Sequence, residues 1–205
     1  ECGDADDEER DIGDFSDAEE MRSRPHDHDA GHDRERFRGD QGFQLARHLR
    51  RDHEVVAPFY GRGRDTNFDI VTDANRDRIE VHLPNPYYPP KRYVLPHIQK
   101  LLRISMNGGL HFEPVHEEVR RAVFGIRSCD IAGIHHLDRF YLGGTYRDVY
   151  YERFRKNLFL VNVVCSNPDL DIDEDCFCMC ADTGPAARGG FDLQLMDLGD
   201  EFLAV

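Results

Sequence analysis

The sequence predicts an α/β (α+β) fold, in which a mixed sheet surrounds a strand–helix–strand core and a C-terminal β-hairpin closes the domain. Residues 122–126 and 158–164 are continuous apolar runs rich in branched and aromatic side chains, which is typical of strands buried on both faces. Between them, residues 131–142 and 146–156 carry apolar side chains at helical spacing. Two strands joined by a helical crossover pair in parallel, so these four segments predict the core.

The flanking segments predict smaller elements by the same reasoning from apolar spacing and turn residues. In chain order they are a short helix at 43–49, strands at 54–59, 68–72 and 78–82 with a turn at 73–75, and the hairpin at 191–205. The hairpin is predicted because apolar and polar residues alternate there up to a Gly-Asp turn.

A proline-rich segment, residues 84–96, separates the first strands from the core. Prolines remove backbone donors and fix φ, so we expect a rigid extended connection rather than a strand or a helix. Lys91 and Arg92 lie in this segment. They could contact a bound group or a partner, but solvated charges are the favoured interpretation, because exposed ion pairs contribute little.

The acidic residues are concentrated at the start of the chain. Residues 1–40 hold 16 acidic and 6 basic side chains, whereas residues 41–205 hold 24 and 20, so the first segment supplies −10 of the net charge of −14. We therefore expect residues 1–40 to be an acidic tail, disordered or ordered by a partner, and residues 41–205 to form the folded domain. Neither part has the basic stripe that nucleic-acid binding requires.

Four cysteines of the second half are the candidate metal ligands: Cys129, Cys165, Cys176 and Cys178. Cys129 and Cys165 follow the two core strands, and the carboxyl ends of parallel strands meet at one edge of a sheet. The irregular segment 166–190 could fold over that edge with the Cys-Phe-Cys pair. Thiolates are soft ligands that suit iron–sulfur clusters or zinc.

Other interpretations of the cysteines remain open. Cys129 and Cys165 could each be core thiols, because cysteine is among the most buried residue types. Disulfides are disfavoured, since the chain shows no signal peptide or apolar span and we expect a reducing cytoplasm. Structural zinc usually uses paired Cys-x2–4-Cys motifs, which are missing. Cys180 could replace Cys178 as a ligand, and Cys2 is most simply a free thiol.

Two charged residues flank Cys129 and are candidate cofactor-contacting groups. Arg127 and Asp130 could tune the potential of a bound cluster through their charge. Alternatively, Arg127 is a surface charge and Asp130 is the N-cap of the following helix. We favour the capping role for Asp130, because Asp before an apolar helical run is a common helix start.

Six separated segments together resemble one protein family. They include Pro-Pro-Lys-Arg-Tyr-Val-Leu-Pro, Phe-Gly-Ile-Arg-Ser-Cys-Asp and Cys-Phe-Cys, and in order they are 89–96, 124–130, 148–151, 165–168, 176–178 and 190–193. The chain is similar, over about residues 42–205, to the beta subunits of cytoplasmic nickel–iron sulfhydrogenases and the A subunits of anaerobic sulfite reductase.

The resemblance implies an iron–sulfur electron-transfer subunit. Such a subunit carries [4Fe-4S] clusters, here on Cys129, Cys165, Cys176 and Cys178, and passes electrons between a flavin subunit and a catalytic metal subunit. Family members continue into a ferredoxin-like part with two Cys-x2-Cys-x2-Cys-x3-Cys-Pro runs, which this sequence lacks. We therefore expect one cluster here, with the chain a fragment of a longer protein or a separate ferredoxin-like polypeptide supplying the rest.

Two further function classes compete with electron transfer. In the first, the chain is a structural or scaffold subunit with a zinc-bound or metal-free cysteine site. The second is an enzyme with its own active site, for which His135 and His136 are available without a recognisable partner. No Gly-x-Gly-x-x-Gly or Walker sequence is present, so we expect no nucleotide cofactor held by this chain alone.

Overall fold

The computed structural model describes residues 35–38, 41–60, 66–81, 86, 88–106, 108–116, 118–166, 176–199 and 201–205, with side chains from residue 44 onward. The elements in chain order are β1 (Glu35–Arg38), α1 (Gln41–Leu49), β2 (Glu54–Tyr60), β3 (Thr66–Ile70), β4 (Leu102–Ser105), β5 (His111–Pro114), β6 (Arg121–Ile126), α2 (Ser128–Leu142), α3 (Val149–Lys156), β7 (Leu158–Val163), β8 (Leu193–Asp197) and β9 (Glu201–Ala204). The residues 1–34 of the predicted tail, including Cys2, lie outside the described part.

Seven of the strands form one mixed sheet in the order β1-β9-β8-β7-β6-β2-β3. The strands β8, β7, β6 and β2 are parallel. Strands β9 and β3 pair antiparallel to β8 and β2 at the two ends of this group, and β1 pairs antiparallel to β9. The chain passes from β6 through α2 and α3 to its neighbour β7, which confirms the predicted strand–helix–strand core and the α/β (α+β) class. The predicted C-terminal hairpin is also confirmed, as β8 and β9.

Apolar side chains cover both faces of this sheet. On one face, Ala46 and Leu49 of α1 pack with Val161 and Val163 of β7. On the other face, α2 and α3 pack against the alternate positions of β6 and β7, with Tyr151 fully buried. Burial on both faces explains why the strands β6 and β7 read as continuous apolar runs in the sequence.

The second helix of the core begins later than its apolar spacing predicts. Asp148 is the N-cap of α3, and its carboxylate accepts hydrogen bonds from the backbone N–H groups of Tyr150 and Tyr151 at 2.9 Å each. An Asp side chain satisfies donors that have no partner in the first turn, so α3 begins at Val149 rather than at Tyr146.

Two predictions about the connecting segments are wrong. The strand predicted at 78–82 is, in its described residues, a 3-10 turn at Arg76–Arg78 followed by a single bridge between Ile79 and Phe59. The proline-rich segment contains a 3-10 turn, Pro90–Tyr93, with Pro90 in its first turn. Proline fits there, because its fixed φ is helical and the first N–H groups of a helical turn have no internal partner.

Three strands have no counterpart in the sequence prediction. Strand β1 pairs with the outer edge of β9, so the sheet begins inside the stretch assigned to the acidic tail. Strands β4 and β5 form a separate two-stranded sheet whose side chains are all exposed. Within the described residues, no helix combines the length and apolar character that crossing a membrane would require.

Candidate metal centre

Two of the four candidate cysteines follow neighbouring parallel strands. Cys129 is the second residue of α2, which begins two residues after β6 ends, and Cys165 lies two residues after β7 ends. Because β6 and β7 are hydrogen-bonded neighbours, both cysteines lie at the same edge of the sheet. Open α/β sheets bind ligands at this carboxyl edge.

The described part of the cysteine loop, residues 176–192, is fixed to this edge through Pro185. The backbone carbonyl of Pro185 accepts a hydrogen bond from Oγ of Ser128 at 2.7 Å and one from the backbone N–H of Cys165 at 3.4 Å. Farther along, the N–H of Ala187 donates to Oε1 of Gln194 in β8 at 3.0 Å. The loop therefore bonds to the start of α2, to the end of β7 and to β8.

Cys178 is held by its own turn beside Ser128. The backbone N–H of Thr183 donates to the carbonyl of Cys178 at 2.9 Å, which closes the turn. A Cβ added at Gly184 would lie 3.2 Å from Sγ of Cys178 and 3.8 Å from Cβ of Ser128. Gly184 thus leaves room for the Cys178 sulfur close to the residue that precedes Cys129. Cys176 lies two residues earlier in the same loop and is half-buried.

The thiol of Cys129 interacts electrostatically with those of Cys165 and Cys178. Burial raises the pKa of the Cys129 thiol to about 11, and the negative charges of Asp130, Cys165 and Cys178 add to the increase. With this pKa, the Cys129 thiol stays protonated at neutral pH unless a nearby cation compensates the charge of its thiolate. A metal ion or a cluster iron supplies that compensation, because thiolates are its ligands.

The two predicted flanking residues are both buried, and neither the surface position considered for Arg127 nor the capping role favoured for Asp130 is observed. Arg127 is 3% exposed and donates from Nη2 to the carbonyl of Val81 at 2.8 Å, so it is not a surface charge. Asp130 lies in the first turn of α2 and does not cap it; the N-cap position is Arg127, which makes no side-chain capping bond. The capping prediction for Asp130 is therefore wrong, because the helix starts at Ser128, three residues earlier than predicted.

The carboxyl group of Asp130 is in an unusual environment. Burial raises its pKa to about 6, while the positive charges of Lys91 and Arg127 act in the opposite direction. Because Lys91 contributes, the proline-rich segment reaches α2. The expected solvation of Arg92 is also wrong: its guanidinium is partly buried and donates to the carbonyl of Phe68 and to Oη of Tyr93.

Asn162 is a site residue that the sequence prediction missed. It is fully buried in β7, and its Nδ2 donates to the carbonyl of Ile126 at 2.9 Å and to Oγ of Ser128 at 3.4 Å. Asn162 thereby links the end of β6 to the hydroxyl that fixes Pro185. The sequence does contain a signal for this role, because Asn162 is the single polar residue within the apolar run 158–164.

Gly190 determines how closely the cysteine loop approaches α2. Its φ is +82°, and an added Cβ would lie 1.9 Å from Nε2 of His135. Gly190 therefore lets the loop backbone lie directly against α2 at the position of His135.

The donor set fits an iron–sulfur cluster in type and number. Among the described cysteines, Cys129, Cys165, Cys176 and Cys178 are not in disulfides, whereas Cys180 is. The alternative in which Cys180 replaces Cys178 as a ligand is therefore wrong. Soft thiolates of this number suit a four-cysteine cluster. Among the described residues, no three His, Cys, Asp or Glu side chains are close enough to hold a metal ion as they stand. Binding a cluster therefore requires the sulfurs to move closer together.

Comparison with known proteins gives one curated relative. The chain is 35% identical over 149 residues to sulfhydrogenase 2 subunit beta of Pyrococcus furiosus, and this match covers 72% of the chain. It covers 42% of the relative, so the chain spans less than half the length of that protein. No protein-family model matches the chain. No solved structure matches it either.

Proposed function

Because the chain belongs to the family of sulfhydrogenase beta subunits, we propose that it is an electron-transfer subunit whose cysteines Cys129, Cys165, Cys176 and Cys178 hold a [4Fe-4S] cluster. The observation that carries this proposal is the convergence of Cys129, Cys165 and Cys178 at the carboxyl edge of the sheet. Bound there, the cluster would supply one-electron transfer at a potential set by nearby charges and hydrogen bonds.

The residues around the cysteines support this role by fixing the backbone that carries them. Ser128 and the N–H of Cys165 hold the carbonyl of Pro185, and Asn162 holds Ser128. Arg127 and Asp130 are ionisable groups close to Cys129 in the chain, and both are buried away from solvent. Such groups tune the potential of a cluster and orient its ligands.

The partners of the subunit follow from the same proposal. The relative is, by its name, one subunit of a sulfhydrogenase. We infer that this chain acts in a cytoplasmic redox complex, between a flavin-containing or ferredoxin-like subunit and a catalytic metal subunit of the hydrogenase or sulfite and sulfur reductase type. The chain itself would be a non-catalytic component of that oxidoreductase.

A structural role remains the second candidate, and one observation favours it. The described cysteines, histidines and carboxylates do not form a group at metal-binding distance. In this alternative the cysteine site holds zinc or no metal, and the domain acts as a scaffold for other subunits.

Metal and sulfide analysis of the anaerobically purified chain separates the two candidates. Electron transfer requires about four irons per chain with matching acid-labile sulfide and an EPR signal after dithionite reduction. We expect Cys178→Ser to lose most of the iron and Met179→Ser, a control at the exposed neighbouring residue, to keep it. Zinc in place of iron, or no metal with four free thiols, would support the scaffold.

A further inference from the structure

The 3-10 turn Pro90–Tyr93 is firmly attached to the sheet beside α2. Nη1 of Arg121 donates to the carbonyl of Tyr93 at 2.8 Å, and Oη of Tyr93 donates to the carbonyl of Phe68 at 3.1 Å. Pro90 and Val94, at the two ends of the turn, are buried. The backbone position of the residue between these anchors, Lys91, is therefore fixed.

The side chain of Lys91 lies on the surface of α2 at Gly133. A Cβ added at Gly133 would lie 3.2 Å from Nζ, 3.4 Å from Cε and 3.7 Å from Cδ of Lys91. The last three atoms of the Lys91 side chain thus lie against the backbone of Gly133. Gly133 makes the room for this approach, and Lys91 as a whole residue is half-buried.

Gly133 lies one helical turn after Cys129. Residues four apart on a helix are neighbours, with Cβ positions about 5–6 Å apart. Asp130, three residues before Gly133, is a second neighbour on the helix, so Lys91 lies over the part of α2 that carries Cys129. Lys91 and Arg127 together carry two positive charges around the single carboxylate, and this excess lies at the first turn of the helix that carries Cys129.

We propose that Lys91 tunes the cysteine site electrostatically: its side chain is held over Gly133, and its fixed positive charge favours the reduced form of the cluster. The inference rests on the proposed function. Each added electron makes a thiolate-bound cluster more negative, so a nearby cation raises its reduction potential. A unit charge about 10 Å from a cluster, in a medium of effective dielectric constant about 20, would change the reduction equilibrium of that cluster roughly tenfold.

The test is the reduction potential of the cluster in the full chain, followed by EPR during an anaerobic titration. We expect Lys91→Gln to shift the equilibrium about tenfold toward the oxidised form, which is about 59 mV for a one-electron couple. Lys91→Arg keeps the charge and should restore most of the wild-type potential. Lys100→Gln removes a charge from an exposed residue of the same connection and is the matched control.

Each outcome bears on the inference. A shift in Lys91→Gln that exceeds that of Lys100→Gln and is reversed in Lys91→Arg supports it. Equal potentials in the two glutamine variants, with iron content unchanged, would overturn the role of Lys91 and leave the proposed function standing. A wild-type chain without iron and sulfide would overturn both.

Discussion

At the scale of single residues, Gly125 shows how one glycine shapes the strand that leads to the cysteine site. Its φ is +79°, and the pairing of β6 with β7 shifts register between Phe124 and Ile126. An added Cβ would lie 3.0 Å from Cδ of Pro58. Gly125 is therefore required both by its backbone conformation and by the close approach of β2, as in glycine-containing β-bulges.

We predict that Gly125→Ala lowers the free energy of unfolding by about 1–3 kcal/mol, since a side chain at positive φ is strained and Pro58 limits relaxation. Urea unfolding of the metal-free, reduced chain measures this change. Gly144→Ala is the control, because an added Cβ there meets only ordinary contacts, at 3.8 Å or more, and its φ is not positive. Equal stabilities of the two variants would contradict the prediction.

At the scale of elements, α2 and α3 are joined by a polar cluster of Asp138, Tyr151 and Arg155. The carboxylate of Asp138 accepts a hydrogen bond from Oη of Tyr151 at 2.7 Å and two from Nε of Arg155 at 3.0 and 3.1 Å. Burial and the Asp138 hydrogen bond raise the pKa of Tyr151 above its usual range. The charges of Asp138 and Arg155 are mostly shielded from solvent, so their pairing contributes more than a surface ion pair.

Asp138→Asn should destabilise the chain by about 1–3 kcal/mol, because it removes a charge-assisted hydrogen bond and leaves Arg155 uncompensated. Glu152→Gln is the matched control on α3: it breaks the exposed pair with Lys156, which we expect to cost only a few tenths of a kcal/mol. Thermal or urea unfolding of both variants decides. A loss in Glu152→Gln as large as that in Asp138→Asn would show that the polar cluster does not join the helices.

The contact between the cysteine loop and α2 depends on Gly190. Gly190→Ala should destabilise the chain by about 2 kcal/mol, through strain at positive φ and through collision with the His135 ring. The double variant His135→Ala/Gly190→Ala should recover the part due to the collision and retain the part due to φ. A double-mutant cycle of unfolding free energies separates the two parts. Strict additivity would mean that the His135 ring moves aside at no cost.

At the scale of the whole molecule, we propose that the folded domain starts at Arg34 rather than at Gln41. Strand β1 covers the outer edge of β9 with four paired residues. The residues before it supply most of the net negative charge and few apolar side chains. A segment of that composition contributes little to a packed core.

Two truncations test this boundary. Under reducing conditions, in which the disulfide of Cys180 is broken, a chain that lacks residues 1–33 should unfold at the same urea concentration as the full chain. Removal of residues 1–40 also deletes β1, and we expect it to lower the free energy of unfolding by about 2 kcal/mol, from a few backbone hydrogen bonds worth roughly 1 kcal/mol each. Loss of β1 also exposes the β9 edge, so light scattering should show association. If the two truncated chains unfold at the same urea concentration and neither associates, the folded domain starts at Gln41 instead.

The sequence alone determined the core and the edge at which the site lies. Continuous apolar runs indicate strands buried on both faces, and apolar residues at helical spacing indicate the crossover helices. Both patterns are local features of the sequence, so they can be recognised without knowledge of the tertiary structure. The position of Cys129 and Cys165 at one edge then follows from the parallel pairing of β6 and β7. The predicted family resemblance is confirmed by the sulfhydrogenase relative.

Only the tertiary structure decided how the site is assembled. The bonds of Ser128 to Pro185 and Asn162, and the contact of Lys91 with Gly133, join residues that are 34 to 57 positions apart. The pairing of β1 with β9 and the burial of Arg127 and Asp130 also depend on tertiary packing. Such contacts depend on how whole elements pack, and the spacing of residues along the chain does not specify that packing. The same turn or charged residue is stable in many surroundings, and only the packing of the complete fold selects one of them.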